Sequence, residues 1–334
     1  MKIAMNWTPT ALRQQLSPPW SKRLWSSATA IAGTVAIALT ACPNPALADP
    51  FRSASPREMD DQTEAAFEAM FVQGNYTQAA ELLETAAPDE PMALAMQASI
   101  AYLNRDWDGL KVHADRTLAV AQRLIAEDPL RGHLYTAVAH FMDGAYTLST
   151  EGTIRATPVV LGKLRLVFDN FNQAESVDPT DPELNLIKGY MDLMLAVNLP
   201  FSSPEQAIAR LEQYGSPSYL VQRGLAVAYR DLGQYDAALT AVEQALEETP
   251  DNPDLYYLKA QIVRLQGDDL ATSLQYFRRA LQREEQLPEE LADQIAYEFC
   301  RTRNELRDRD QNCRRWVEER HELADSDEDV PDQI

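Results

Sequence analysis

The sequence predicts an all-α protein, a solenoid of about six helical hairpins that ends in a C-terminal capping pair of helices. Apolar residues make up 45% of the 334 positions, and glycine occurs only 12 times. Long helices need few tight turns, so this composition favours helices over an all-β fold. One spacing of small and aromatic residues also returns along the chain, which indicates a repeat array whose units share a single core.

The N-terminus is predicted to be an export signal, residues 1–48. Four basic side chains precede an uncharged run from Ala28 to Ala41, which is too short for a comfortable permanent membrane span. Two processing sites are compatible with this N-terminal sequence. The residues Ala46–Ala48 form a small-x-small cleavage site, which we favour, whereas Leu39–Cys42 resembles the lipobox of bacterial lipoproteins. We therefore expect an exported protein of a periplasm or a thylakoid lumen, with a lipid anchor at Cys42 as the alternative.

The mature chain is strongly acidic. Removal of the four basic residues of the signal leaves 26 Lys and Arg against 51 Asp and Glu, a net charge of −25. Such a surface repels phosphate backbones and anionic headgroups, so it argues against nucleic acid and against membrane binding by charge. We expect a protein or peptide partner and no transmembrane helix in the mature chain.

The clearest repeat unit runs from Tyr219 to Asn252. Gly233 is placed to end a first helix, and Tyr235 is placed to fill the turn that follows it. Ala226 and Ala238 are small at the positions where the two helices of the unit would cross closely. The same spacing returns in a first unit at about 60–93, through Gly74, Tyr76, Ala79 and Leu83, and in a third unit that begins at Pro253.

These positions resemble the tetratricopeptide repeat. The resemblance implies a right-handed superhelix in which the first helix of each hairpin lines a concave groove. The middle region, Val160–Phe171 followed by Gly189–Met194, also looks like exported repeat proteins of cyanobacteria that have no assigned activity. Ser149–Pro158 is predicted to be an ordered insertion loop.

The segments follow in a simple order along the chain. After the signal we predict a linker at 49–59, the repeat solenoid at 60–287, capping helices at 288–321 and an acidic disordered tail at 322–334. The tail is expected to stay solvated because residues 322–334 carry six acidic groups and no basic one.

The family register predicts which side chains face the groove and bind a partner. The predicted basic, downstream part comprises Arg223, Arg230, Tyr257, Gln261 and Arg264, and the predicted apolar, upstream part includes Leu186 and Tyr190. Arginine forks suit carboxylates and acidic peptides. The alternatives are that the arginines pair with neighbours such as Asp231, and that the apolar residues pack under the loop 198–204. The carboxylate clamp of chaperone-binding repeats does not transfer, because position 224 is Gly and position 220 is Leu.

The favoured function is a protein-interaction scaffold or assembly adaptor of the cell envelope. No Gly-x-Ser-x-Gly elbow, P-loop or dinucleotide loop is present, so we expect no enzyme, no catalytic residues and no cofactor. We expect no metal site, since only His133 and His140 share a helix face and they stand two turns apart. The alternatives are a carrier or sensor of a small ligand in the apolar part of the groove, and an enzyme site at the 149–158 loop.

Cys300 and Cys313 form a candidate disulfide. In one continuous helix they would stand about 20 Å apart and could not bond, whereas a hairpin with its turn near Arg307 would bring them together. An exported protein reaches an oxidising compartment, which favours the bond. The alternative is a reduced, buried pair.

Overall fold

The chain folds into successive pairs of helices, and the second helix of each pair packs back against the first. The structure is a computed structural model, and it describes residues 49–52, 55–198, 204–267 and 269–324. Within these ranges it contains 14 α-helices and no β-strand. The predicted signal peptide, with Cys42, lies outside the described residues.

Six hairpins precede a terminal helix pair, which confirms the predicted all-α solenoid. The first helix, α1, continues through a π-helical turn at Glu68–Val72. The hairpins are α1 with α2 (Asp61–Phe67, Tyr76–Leu83), α3 with α4 (Pro91–Leu103, Trp107–Leu124), α5 with α6 (Pro129–Glu151, Thr153–Val177), α7 with α8 (Pro182–Asn198, Pro204–Tyr214), α9 with α10 (Ser218–Asp231, Tyr235–Glu248) and α11 with α12 (Pro253–Gln266, Leu270–Leu281). A short 3₁₀ turn at Glu284–Gln286 leads to the terminal pair, α13 (Glu289–Arg307) and α14 (Cys313–Ala324).

Local sequence explains where most helices begin. The side chains of Asp or Asn residues cap eight helices by accepting a hydrogen bond from a backbone N–H of the first turn; these residues are Asp60, Asn75, Asp106, Asp128, Asp181, Asn252, Asp269 and Asn312. Proline occupies the first position of α3, α5 and α11, where a helix has no need of its missing N–H. Each of these helices thus carries its own start signal.

The core is continuous from the first hairpin to the terminal pair. Its large, fully buried side chains include Phe171, Phe277 and Phe299, which lie in three different hairpins or pairs. Ala226 and Ala238, the residues predicted to let α9 and α10 cross closely, are completely buried. Successive hairpins therefore share one hydrophobic interior, as a repeat array requires.

The prediction of an insertion loop at Ser149–Pro158 is wrong. Helix α5 runs to Glu151 and α6 starts at Thr153, so only Gly152, with φ +76°, lies between them. Pro158 is the sixth residue of α6, and it removes one hydrogen bond near the start of that helix without ending it. A glycine and a proline near each other indicated a loop, whereas the chain needs a single residue to turn there.

The C-terminal boundary also differs from the prediction. Helix α14 extends to Ala324, past the predicted end of the capping helices at 321, and residues 325–334 of the predicted tail lie outside the described residues. None of the helices in the described part of the chain is long and apolar enough to cross a membrane.

Candidate functional site

The candidate site is the inner face of the array, formed by the first helices of the hairpins. Helix α1 packs on α3, α3 on α5, α7 on α9, and α9 on α11. These first helices therefore lie side by side and share one surface. We call this surface the inner face, and we divide it into an upstream part on α5 and α7 and a downstream part on α9, α11 and α13.

The described residues of the N-terminal segment, 49–52 and 55–59, dock at the upstream part. Phe51 is only 6% exposed and its ring contacts that of Phe67 in α1, with 5.4 Å between ring centroids. The carboxylate of Asp49 accepts hydrogen bonds from the backbone N–H groups of Phe51, at 2.9 Å, and Arg57, at 3.0 Å. The prediction of a plain linker at 49–59 missed this docking, because a buried carboxylate and two arginines have no periodicity that marks them.

Arg52 and Arg57 anchor this segment to the start of α7. The guanidinium of Arg52 hydrogen-bonds to Asp181 and lies 3.2 Å from Oε2 of Glu183, and that of Arg57 donates to the same Glu183 oxygen at 3.1 Å. Burial alone would lower the pKa of Arg52, but the hydrogen bond to Asp181 and the charge of Glu183 together raise it above its ordinary value. Arg52 therefore stays charged in the interior.

The same charge network continues into α5. Arg131 donates to Glu90 at 2.6 Å and lies 3.6 Å from Glu183, while the hydroxyl of Tyr135 donates to Glu183 at 2.7 Å. Burial, followed by the charge of Glu183, raises the pKa of Tyr135, so this phenol remains a neutral donor. The buried carboxylate of Glu183 thus contacts three arginines and one tyrosine, of which only Arg57, at 26% exposed, lies near the surface.

The first hairpin also meets the sixth, so the array closes on itself. Asn252, which caps α11, donates from Nδ2 to the backbone oxygen of Phe71 at 3.2 Å, at the end of the first helix. Gly74 has φ +67°, and a Cβ at this position would lie 2.5 Å from Oδ1 of Asn252 and 2.7 Å from Cδ of Pro253. Only glycine permits this approach. A second link joins Arg105 to Glu290 in α13 at 2.9 Å.

Side chains from three hairpins meet at the centre of the inner face. The hydroxyl of Tyr76 donates to Asp254 at 3.2 Å, and the same carboxylate oxygen forms an ion pair with Arg223. The charge of Asp254 is the main cause of the raised pKa of Arg223. The structure thus places Arg223, a predicted partner-binding residue, in an internal ion pair with Asp254, the residue that also contacts the first hairpin.

The predicted apolar part of the groove is filled by the protein itself. Leu186 is 5% exposed and belongs to the core, which corrects its assignment as a partner-binding residue. The Tyr190 hydroxyl hydrogen-bonds to the backbone oxygen of Leu220, and its ring packs on Gly224, where a Cβ would lie 2.7 Å from Cε2. This contact explains why position 224 carries no side chain and why the carboxylate clamp is missing.

The downstream part holds the other predicted residues, and the structure brings three of them together. Arg230 donates to Oε1 of Gln261 at 2.6 Å, and Gln261 in turn donates to Glu298 of α13 at 3.2 Å. Tyr257 also donates to Glu298, at 2.9 Å, and burial with the charge of Glu298 raises its pKa. Arg230 pairs with Asp231 as well, at 2.8 Å, which is the neighbour pairing considered as an alternative.

Arg264 lies farther along α11, at the edge of an open cleft. It pairs with Glu305 of α13 at 3.2 Å. The cleft has a volume of about 490 Å³, and its lining includes Arg264, Arg301, Arg309 and Arg314, with Glu305 and Asp310. We call this cavity the arginine cleft, after the four arginines in its lining.

The turn that borders this cleft is held by several bonds. Helix α13 ends at Arg307, and a disulfide joins Cys300 to Cys313 across the turn. Nδ2 of Asn304 donates to the backbone oxygen of Gln311 at 2.8 Å, and the guanidinium of Arg303 lies over Trp316, 4.9 Å from the ring centroid. The terminal pair thus fixes the positions of the cleft arginines.

The partners that sequence reasoning missed are carboxylates, above all Asp254, Glu298 and Glu305. With 51 carboxylates in the chain, composition could not single them out. Their separation along the sequence from the residues that they contact could have identified them. Arg223 and Arg230 find their α11 partners 31 residues later, and Tyr257 and Arg264 find their α13 partners 41 residues later. The offset is the same for both contacts within each pair of neighbouring first helices, as expected when the helices follow a repeat register. Among the described residues, no group of His, Cys, Asp and Glu is arranged to hold a metal ion.

Comparison with known proteins identifies the repeats. Residues 223–288 match the family model described as tetratricopeptide repeat, which confirms the resemblance for that segment. Among solved structures, the chain is similar to a thermophilic TPR protein of Thermus thermophilus, with 24% identity and a TM-score of 0.42. That similarity covers 61% of this chain and 97% of the other. Comparison with curated proteins finds no match.

Proposed function

We propose that this chain, which carries tetratricopeptide repeats at residues 223–288, is a non-enzymatic protein-interaction scaffold that binds its partner at the downstream part of the inner face. The binding residues of this proposal are Arg230, Tyr257, Gln261 and Arg264. Three further residues of the original set, Arg223, Leu186 and Tyr190, are left out because their side chains are used in internal contacts.

One observation carries this proposal, the contrast in access between the two parts of the inner face. The upstream part is covered by the N-terminal segment through Arg52, and the first hairpin closes the beginning of the downstream part through the contact of Tyr76 with Asp254. The downstream part ends in an open cleft beside Arg264, and the ion-pair partner of Arg264, Glu305, is 56% exposed. An incoming chain therefore has room to bind beside Arg264, where the matched repeats meet the terminal pair of helices.

The chemistry of the inner face supports a role in binding. Its polar groups form ion pairs and tyrosine–carboxylate hydrogen bonds, for example between Tyr257 and Glu298. Such contacts hold side chains in place. Arg230 and Arg264, held by side-chain amide and carboxylate partners near the surface, keep further donors for the carboxylates or backbone oxygens of a partner.

A small-ligand carrier is the alternative function, and fewer observations support it. It relies on an apolar groove around Leu186 and Tyr190, but Leu186 is 5% exposed inside the shared core and the Tyr190 ring packs on Gly224. A ligand that used them would have to displace the packing between hairpins.

The proposed location follows from the N-terminal sequence. We propose that the protein is exported and that its partner is met in the periplasm or a thylakoid lumen. The basic n-region, the short apolar run and the Ala46–Ala48 site support this location. A lipid anchor at Cys42 remains the alternative way of processing.

The test is capture of partners from the native envelope fraction by crosslinking, followed by comparison of two double variants. Arg230→Glu with Arg264→Glu reverses both downstream charges, and it should reduce capture of specific partners at least about tenfold. A matched control, Arg116→Glu with Arg165→Glu, changes two exposed arginines on the second helices α4 and α6.

The control should capture partners like the wild type, and circular dichroism should show equal helicity for all three proteins. Undiminished capture by the Arg230 and Arg264 variant would remove the downstream face from the proposal. Equal loss of partner capture in both double variants would show that capture depends on the net charge of the protein and not on its downstream part.

A further inference from the structure

The arginine cleft is a basic site in an acidic protein. From Arg301 to Arg320 the sequence holds seven arginines and five carboxylates, whereas the chain from residue 49 onward holds twice as many acidic as basic residues. Burial and the nearby charges of Arg307 and Arg309 lower the pKa of Arg303, which reflects this concentration of cations. A basic cleft of this kind attracts carboxylates.

Within the part of the chain that the structure describes, most of the cleft arginines have no carboxylate partner of their own. Among these residues, Arg301, Arg309 and Arg314 form no ion pair, although each lines the cleft. The Nε of Arg264 is buried in the same wall, and no described atom accepts a hydrogen bond from it. A buried donor without an acceptor costs free energy, so an incoming carboxylate would be favoured here.

We propose that the arginine cleft binds a carboxylate-rich peptide segment, and that its occupant in the free protein is the chain's own residues 325–334. This stretch contains five carboxylates, those of Asp325, Asp327, Glu328, Asp329 and Asp332, and no basic residue. It therefore has the charge that the cleft lacks. This inference goes beyond the proposed scaffold function, because it requires no second protein.

The path from the end of α14 to the cleft is short enough. The cleft lies at the start of α14, which has 12 residues and a length of about 18 Å. An extended chain advances about 3.4 Å per residue, so about five or six residues beyond Ala324 span that length. Asp329 and Asp332 are then in range of the cleft arginines.

Attachment to the same chain also favours this occupant over an acidic segment of another protein. A separate acidic chain must approach a molecule with a net charge of −25 in its mature form, whereas residues 325–334 are covalently attached to the end of α14. A short linker gives an effective concentration on the order of 1 mM. With a dissociation constant of about 0.1 mM, the bound segment lowers the apparent affinity of a competing peptide about tenfold.

The test uses a fluorescein-labelled decapeptide with the sequence of residues 325–334 and measures its binding by fluorescence anisotropy. Two full-length mature proteins are compared, the wild type and a variant in which the five carboxylates of residues 325–334 are replaced by the corresponding amides. The amide variant should bind the decapeptide at least about tenfold more tightly than the wild type. Its affinity should fall as the salt concentration is raised.

Arginine variants are made in the amide variant to locate the binding site. Arg301→Gln, Arg309→Gln and Arg314→Gln together should abolish binding, while the matched set Arg116→Gln, Arg155→Gln and Arg165→Gln should leave it unchanged. Absence of binding by the amide variant, or retained binding without the three cleft arginines, would overturn the proposal. Equal binding by the wild type would exclude residues 325–334 as occupant and overturn that half of the proposal.

Discussion

The upstream and downstream parts of the inner face are built from the same kind of helix but use their charges in opposite ways. Upstream, Glu183 is 2% exposed and binds three arginines, two of which come from the N-terminal segment. Downstream, Arg264 pairs with Glu305, which is 56% exposed, beside a cleft with three arginines that form no ion pair within the described ranges. The upstream charges hold the chain together, whereas Arg301, Arg309 and Arg314 at the downstream cleft have no carboxylate partner within the described ranges.

This difference shows why a list of charged inner-face residues does not identify a binding site. A buried ion pair has lost its water, so removal of either partner leaves an uncompensated charge in the interior. An exposed pair keeps most of its hydration and contributes little to stability. Stability measurements at the two parts should therefore differ strongly.

The largest expected effect comes from Glu183→Gln. This substitution keeps the shape of the side chain but leaves Arg52, Arg57 and Arg131 without their shared carboxylate. We expect it to lower the free energy of unfolding by about 3–5 kcal/mol. The matched change Glu305→Gln in the downstream part should cost less than about 0.5 kcal/mol. Urea unfolding followed by circular dichroism measures both, and equal losses would contradict the contrast between the two parts.

Loss of the disulfide should have the next largest effect, and it acts on the downstream part. The bond between Cys300 and Cys313 closes a loop with a sequence separation of 13. Replacement of both cysteines by serine should lower the free energy of unfolding by about 3 kcal/mol. Thermal unfolding of the double variant, with and without a reductant, provides the measurement. Reductant should destabilise the wild type and leave the variant unchanged, and a wild type insensitive to reductant would show that the bond is absent.

Closure of the array between the first and sixth hairpins can be tested by adding a single carbon atom at Gly74. Gly74→Ala places a Cβ against Asn252 and Pro253, at a residue whose φ is already positive. Gly233→Ala is the matched control, since its φ is +73° and no described atom lies within 4 Å of the added Cβ. Backbone strain alone costs about 1–2 kcal/mol in each.

Gly74→Ala should therefore cost about 1 kcal/mol more than Gly233→Ala, because only the former disturbs the contact between hairpins. Differential scanning fluorimetry gives the order, and chemical unfolding gives the sizes. Equal costs for the two variants would mean that the close approach at Gly74 contributes nothing.

The smallest expected effect is a sensitivity to acid that originates in α5, in the upstream part. Burial lowers the pKa of His140 from its ordinary value of 6.5, and the charge of Lys163 lowers it further. Below pH 6.5 the unfolded chain therefore binds a proton more readily than the folded chain, so stability is full above that pH and declines as the pH falls. His140→Asn should reduce the difference in unfolding midpoint between about pH 7.5 and about pH 5.5. An unchanged difference would assign the acid sensitivity to other groups.

The fold could be predicted from the sequence because each repeat position meets a local structural requirement. Ala226 and Ala238 are small because helices cross there, and Gly233 and Pro253 mark where helices end and begin. These requirements are met within about 35 residues, so a single unit already reveals them. The number of hairpins followed from counting such units.

The state of the inner face could not be predicted in the same way. Whether Arg223 faces a partner or an internal contact depends on the first hairpin, whose Tyr76 lies 178 residues before Asp254. The docking of Arg52 on Asp181 spans 129 residues. Register identifies the residues that face inward, but only the path of the whole helical array determines which of them meet another part of the same chain.

The closure of the array changes how the protein can come apart. A linear solenoid transmits stability only between neighbours, so its end units fray first and unfolding can proceed unit by unit. Here the hydroxyl of Tyr76 reaches Asp254 across 178 residues, and that of Thr77 reaches the backbone of Glu285 across 208. The first hairpin therefore cannot open without breaking contacts with the sixth. We expect contacts of such long sequence separation to slow folding and to couple the unfolding of the first hairpin to that of the sixth.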